Sequence, residues 1–230
     1  MTRAWNLAAA LLVIGVSGLH AEVAHAQPAS AEPGRLEVSA GSLWIGRQVL
    51  GSTSANETTG AGGTFELFRV STELASVNGF EGRVGVRVWR GFAAELEASY
   101  GKPQVKISIA NDIENAAPVT AVETIQQFTV GAGVAWSLPY RPWNGRLVPF
   151  VTAGAGYLRD VHEAQTLIDT GSYYQVGGGV KVLLVSRSRS FLKGLGARAD
   201  ARAMVRSKGV AFDDGGHTSP AIAASVFVRF

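Results

Sequence analysis

The 230-residue chain has no cysteine and only two methionines. Disulfides, thiol catalysis and thiolate metal sites are therefore excluded. Charge is also sparse: Asp, Glu, Lys and Arg make up 17% of residues and the net charge is +3. An excess that small, spread along the chain, is no nucleic-acid footprint. After residue 26 no uninterrupted apolar run approaches the roughly 20 residues of a membrane helix. The Gly-x-Gly pairs lie inside strand-like segments with no helix after them, so no phosphate-binding loop exists. Of four histidines, His20 and His25 precede residue 27, and His162 and His217 are far apart in sequence. The sequence implies no metal site and no cofactor.

Residues 1–26 read as a cleaved signal peptide. Arg3 supplies a positive start, Leu7 to Leu19 an apolar stretch, and Ala24-His25-Ala26 the small residues that signal peptidase reads. Loss of Arg3 and Glu22 leaves the net charge unchanged. Residues 27–34 (QPASAEPG) form a short linker, expected to be periplasmic, and 35–230 a single β domain.

Period-2 alternation predicts eight strands, over about 35–46, 79–89, 92–101, 125–138, 147–159, 171–185, 191–205 and 221–230. Long polar connections (47–78 and 102–124) alternate with tight ones at 90–91, 139–146 and 186–190. Residues 64–70 suggest an extra hairpin above the barrel, and whether 64–78 adds strands to the wall is left open. All short connections then fall at one end, as in outer-membrane barrels with short periplasmic turns. The fold class expected is all-β: an eight-stranded antiparallel up-and-down transmembrane β-barrel with both mature termini periplasmic.

Successive strand side chains point to opposite faces. In 79–89, Phe80, Val84, Val86 and Val88 oppose Glu81, Arg83, Arg87 and Trp89. In 92–101, Phe92, Ala94, Leu96, Ala98 and Tyr100 oppose Glu95, Glu97 and Ser99. In 195–205, alanines oppose Arg198, Asp200 and Arg202. A charge on the lipid face costs about 2–4 kcal/mol per Arg or Lys near the midplane. The charges are therefore assigned to the lumen: Glu37, Glu81, Glu95, Glu97 and Asp200 against Arg83, Arg87, Lys181, Arg198 and Arg202. A water-soluble barrel inverts this assignment. Against it stand Gly131, Gly133, Gly154, Gly156, Gly177 and Gly179, which share the polar face and leave room for long charged side chains.

Aromatic residues cap the apolar face at both ends. Phe92 and Tyr100, like Phe128 and Trp136, are eight residues apart, about 26 Å along a strand. Tilted, that matches the apolar band between the girdles of a membrane barrel. Trp44, Tyr157, Tyr174 and Phe230 complete the two belts.

The segments GFEGRVGVRVWRGFAAELEASYG (79–101), VPFVTAGAGYL (148–158) and SVFVRF (225–230) resemble the small outer-membrane β-barrel family that includes the transmembrane barrel of outer-membrane protein A. The resemblance spans 35–230 as a pattern, without that protein's peptidoglycan-binding domain. It implies a place in the bacterial outer membrane, contact with outer-membrane lipid and lipopolysaccharide, and recognition by the barrel-assembly machinery through the last strand ending in Phe230. No nucleic-acid partner is implied. The expected role is structural or surface interaction, with a lumen filled by paired charges and no enzymatic activity; a narrow or gated porin-like channel is the alternative. His217-Thr218-Ser219 is similar to the His-x-Ser arrangement of lipid A deacylase barrels, with Asp213 and Asp214 before it. Pro220 and the adjoining polar segment favour an ordinary turn into a strand. The external segments 47–78 and 102–124 are the candidate recognition surfaces.

Overall fold

A computed structural model describes residues 35–110, 117–162, 167–186, 191–208 and 216–230. The signal-peptide and linker assignments (1–26 and 27–34) lie outside the described residues, as do Asp213 and Asp214. Eleven strands run through the described chain: β1 (Leu36–Ile45), β2 (Gln48–Thr58), β3 (Thr64–Leu74), β4 (Val77–Trp89), β5 (Phe92–Gly101), β6 (Gln104–Ala110), β7 (Val119–Ser137), β8 (Leu147–His162), β9 (Ile168–Ser186), β10 (Gly194–Lys208) and β11 (Gly216–Arg229). Eight of them close a ring in the order β7-β5-β4-β1-β11-β10-β9-β8, with β7 pairing β8. Every pairing is antiparallel, and β1 meets β11 from Glu37↔Arg229 to Ile45↔Ala221. The fold is an eight-stranded antiparallel barrel.

The other three strands are continuations of ring strands. β1 leads into β2 across 46–47, β3 into β4 across 75–76, and β5 into β6 across 102–103. All three breaks lie at one rim. There Gly46 N–H donates to Pro220 O, Ala75 N–H to Gln104 O, and Ile125 N–H to Pro103 O. Proline has no N–H to donate to a ladder and is tolerated at such interruptions. Gly46 is required by close approach: a Cβ there would lie 2.7 Å from Pro220 Cγ. Above this rim β2, β3, β6 and residues 119–124 of β7 form a four-stranded sheet in that order.

The extra hairpin expected above the barrel at 64–70 is there, as β2 and β3, and more of the polar connections 47–78 and 102–124 is ordered than expected. They are largely strand, and they add height to the wall rather than strands to the ring. At the extended rim β8 to β11 also run past the predicted ends, with 163–167 between β8 and β9 and 209–215 between β10 and β11. In β2 Ser and Thr occupy both faces, so polarity does not alternate there although the hydrogen-bonded ladder goes on.

The opposite end holds the tight turns. Gly91 (φ 89°) closes β4–β5, and Trp143, Asn144 and Gly145 (φ 55°, 54° and 82°) form the tip between β7 and β8. A β-bulge between Arg87 and Trp89 changes the parity of β4 at its end. Trp89, predicted on the polar face with Arg87, is instead exposed and stacks on Phe92 at 6.1 Å.

Candidate functional site in the barrel interior

The strand pleat turns two different surfaces to the two sides of the wall. Outward lie Leu36, Val38, Phe80, Val84, Val86, Leu96, Val130, Val134, Val176, Val180, Ile222 and Val226, all exposed. On β10 the outward row is Ala197, Ala199, Ala201 and Ala203, and the inward row is Arg198, Asp200, Arg202, Met204 and Arg206. Aromatics flank the outward apolar surface. Trp44, Tyr100, Phe128, Tyr157 and Tyr174 lie toward the extended rim, with Tyr100 and Phe128 rings 4.8 Å apart. Phe92 and Trp136 stack at 5.7 Å near the tight turns, where Phe230 meets Phe191 at 5.1 Å.

Inside the ring the ionised side chains form one continuous assembly. Asp200 accepts from Arg198 Nε at 2.9 Å and Arg202 Nε at 2.8 Å, and lies 3.4 Å from Arg83 Nη1. Glu81 pairs with Arg83 at 2.7 Å and with Arg202 at 2.6 Å. Arg198 donates through both terminal nitrogens to Glu95, at 2.7 and 3.2 Å, the fork geometry that suits a carboxylate. Glu97 accepts from Tyr173 Oη and Gln175 Nε2 and stands 3.5 Å from both Arg83 and Arg202. Toward the tight turns Glu37 takes Lys181 Nζ at 2.6 Å and Arg229 Nε at 2.8 Å.

Five carboxylates (Glu37, Glu81, Glu95, Glu97, Asp200) thus meet five cations (Arg83, Lys181, Arg198, Arg202, Arg229). None of these ten side chains is more than 14% exposed. Nine of the ten residues singled out in the sequence are brought together here. Arg87 is half-exposed near the tight-turn end, within electrostatic reach of Glu37, and Arg229 joins the buried pairs as the fifth cation. Arg229 belongs to the terminal strand, where its parity in SVFVRF, opposite to that of Val226 and Val228, marks it as separate from the apolar outer face.

The glycines on β7 and β8 make room for this assembly. Gly131 faces Gly156 and Gly133 faces Gly154 across the pair. A Cβ at Gly131 or Gly156 would collide with Tyr173, which reaches across to Glu97. Likewise a Cβ at Gly179 would sit 2.6 Å from Asp200 Cβ.

Apolar and aromatic groups close the interior above and below the charges. Leu43, Ile45, Val77, Leu158, Tyr173, Met204, Ala221 and Ala223 form a buried cluster toward the extended rim. Beyond it Asp160 accepts from Arg206 Nη2 (3.0 Å) and Gln127 Nε2 (2.9 Å). Arg206 also donates to Gln48, whose amide donates to His217 O. A second apolar cluster, Leu50, Leu74, Val105 and Ile125, lies beneath the four-stranded sheet. At the other end Phe150 and Phe227 are buried, with Arg198 4.3 Å from the Phe150 ring centre and Arg229 4.9 Å from that of Phe227. Asp160 and Arg206 fall just past the strand ends expected at 159 and 205, and the interior apolar residues carry no charge to mark them as inward.

Above the outer aromatic level, His162 bridges two strands. Its Nδ1 is 2.8 Å from Glu123 on β7 and its Nε2 3.0 Å from Asp169 on β9. Partial burial opposes charging, but hydrogen bonds and the negative charge of both carboxylates prevail and raise its pKa, favouring imidazolium. Ser219 is 1% exposed and shares the inward parity of Ala221 and Ala223. Its hydroxyl therefore faces away from any acyl chain outside the wall. Among the described residues no group of three or more His, Asp or Glu is arranged to hold a metal ion.

No family model matches the sequence, and no curated protein matches it. Among solved structures, the outer-membrane protein OprG of Pseudomonas aeruginosa aligns with a TM-score of 0.50 at 10% identity, over 86% of this chain and 96% of that one. The chain has the fold of a small outer-membrane β-barrel. Neisserial surface protein A aligns at 15% identity and TM-score 0.49, over 85% of this chain and 97% of that one. Ail, the attachment invasion locus protein of Yersinia pestis, aligns at 11% identity and TM-score 0.42, over 86% and 99%. In this small outer-membrane-type barrel the site with the most chemistry is the interior assembly, and the most distinctive surface is the four-stranded sheet above it.

Proposed function

We propose that the protein is an exported, non-enzymatic outer-membrane barrel with a sealed lumen, which holds its four-stranded sheet outside the bilayer for contact with lipopolysaccharide and neighbouring surfaces. The observation that carries this reading is burial: the ten ionised interior side chains are each at most 14% exposed, which supports a filled lumen. An eight-stranded barrel is just wide enough for its own side chains to fill. Paired and hydrogen-bonded charges inside it offset each other's desolvation. The outward apolar surface between two aromatic levels suits hydrocarbon. The signal-like N-terminus and the terminal strand ending in Phe230 support export and delivery to the barrel-assembly machinery. An inward-facing Ser219 supports a role without acyl-ester chemistry.

Reconstitution in planar bilayers tests the sealed lumen. The expected record shows no steady unitary current under an applied voltage, where an open aqueous pore conducts. Steady, ion-selective steps would establish the narrow channel instead.

A further inference from the structure

The tight-turn end of the barrel carries a collar of cations and aromatics that the interior assembly does not use. Arg35, Arg90 and Arg146 are exposed and make no ion pair with any described residue. Arg141 and Lys193 are half-buried beside them. Neither residues 88–92 nor residues 138–147 contain an Asp or Glu. Among the described residues Glu37, two positions after Arg35, is turned inward and held by Lys181 and Arg229, while the Phe230 terminal carboxylate accepts from the backbone N–H of Arg35. Burial and the positive charge of Arg229 both lower the pKa of Arg141, so the collar is crowded with like charge. The other end differs, with Arg47 paired to Glu73 and Arg69 to Glu66.

Interleaved with these cations are four large aromatics in full view: Trp89 at 63%, Tyr140 at 69%, Trp143 at 69% and Phe191 at 83% exposure. Trp and Tyr settle where apolar chains meet headgroups, and long basic side chains reach from there to anionic phosphates. A soluble acidic partner would satisfy the cations and leave these rings in water. From this juxtaposition we infer that the tight-turn collar is a binding surface for anionic phospholipid headgroups, of the phosphatidylglycerol type, in the leaflet it faces. The inference rests on the membrane-barrel reading and adds a lipid class and a place to it.

The test uses the folded full chain. Native mass spectrometry from neutral detergent compares retention of phosphatidylglycerol with that of phosphatidylcholine. Wild type is expected to favour phosphatidylglycerol by about tenfold or more, since each cation near an anionic surface contributes about fivefold. Arg35→Gln, Arg90→Gln and Arg146→Gln together should abolish the preference, and Arg90→Gln alone should reduce it. The preference should also collapse in wild type as salt rises from about 0.05 to 0.5 M. Lys102→Gln with Arg159→Gln, exposed cations at the opposite rim, should leave it intact. Equal retention of the two lipids, or a preference that survives the triple variant or is lost with the opposite pair, overturns the inference. Gel mobility with and without boiling separates the two levels: a wild-type chain that acquires no heat-modifiable fold in lipid refutes the membrane barrel itself.

Discussion

Replacing Asp200 by alanine is expected to destabilise the folded barrel by about 3–5 kcal/mol, the cost of removing one partner from a buried ion pair. Asp200 is the hub of the interior: Arg198 and Arg202 donate to its two oxygens and Arg83 stands 3.4 Å away. Its side chain is 1% exposed, so water cannot replace it. Truncation would leave five cations facing four carboxylates in a region of low dielectric. Asp200→Asn, which keeps shape and part of the hydrogen bonding, should cost less. Urea unfolding from lipid vesicles, followed by tryptophan fluorescence, provides the measurement. Glu57→Ala, at an exposed position on β2, should fall within about 0.5 kcal/mol of wild type. An Asp200→Ala midpoint as close to wild type as that would mean the network is not what orders the interior.

A charge placed on the other side of the same strand should also be costly, for a different reason. Ala201 points outward between Asp200 and Arg202, opposite Ile222 and Gly178. If that surface lies in hydrocarbon, Ala201→Arg costs about 2–4 kcal/mol near the midplane. Ala201→Met, a long unbranched side chain without charge, should be close to neutral. The pair separates size from solvation, and the same vesicle unfolding assay reads both. Equal stability of the Arg and Met variants would put the outer wall in water.

The ring was legible because two constraints coincide along each of its strands. Alternation with period 2 marks the pleat, and tight turns such as Trp89-Arg90-Gly91-Phe92 mark the reversals. Where one constraint lapses, so does the reading. Val105, Ile107 and Ile109 alternate with Gln104, Lys106 and Ser108, yet Pro103 and the polar setting made β6 look like a loop. β2 is rich in Ser and Thr on both faces, so no alternation announces it. Trp89 lies on the face opposite to the one its parity predicts, because a bulge inserts a residue without any sequence mark. Interior apolar groups such as Phe150, Tyr173 and Phe227 were hidden for a third reason. In a barrel that turns an apolar face outward, apolarity alone does not say which side of the wall a residue occupies.

The central claim, an outer wall in hydrocarbon with ionised groups turned inward, is open to one direct measurement. The chain has no cysteine, so single spin labels introduced at Val84, Ala199 and Val226 report without background. In a reconstituted bilayer their collision rate with dissolved oxygen, which concentrates in lipid, should exceed that with a water-soluble nickel complex at all three sites. Collisions dominated by the nickel complex would contradict the account and describe a barrel that lives in water.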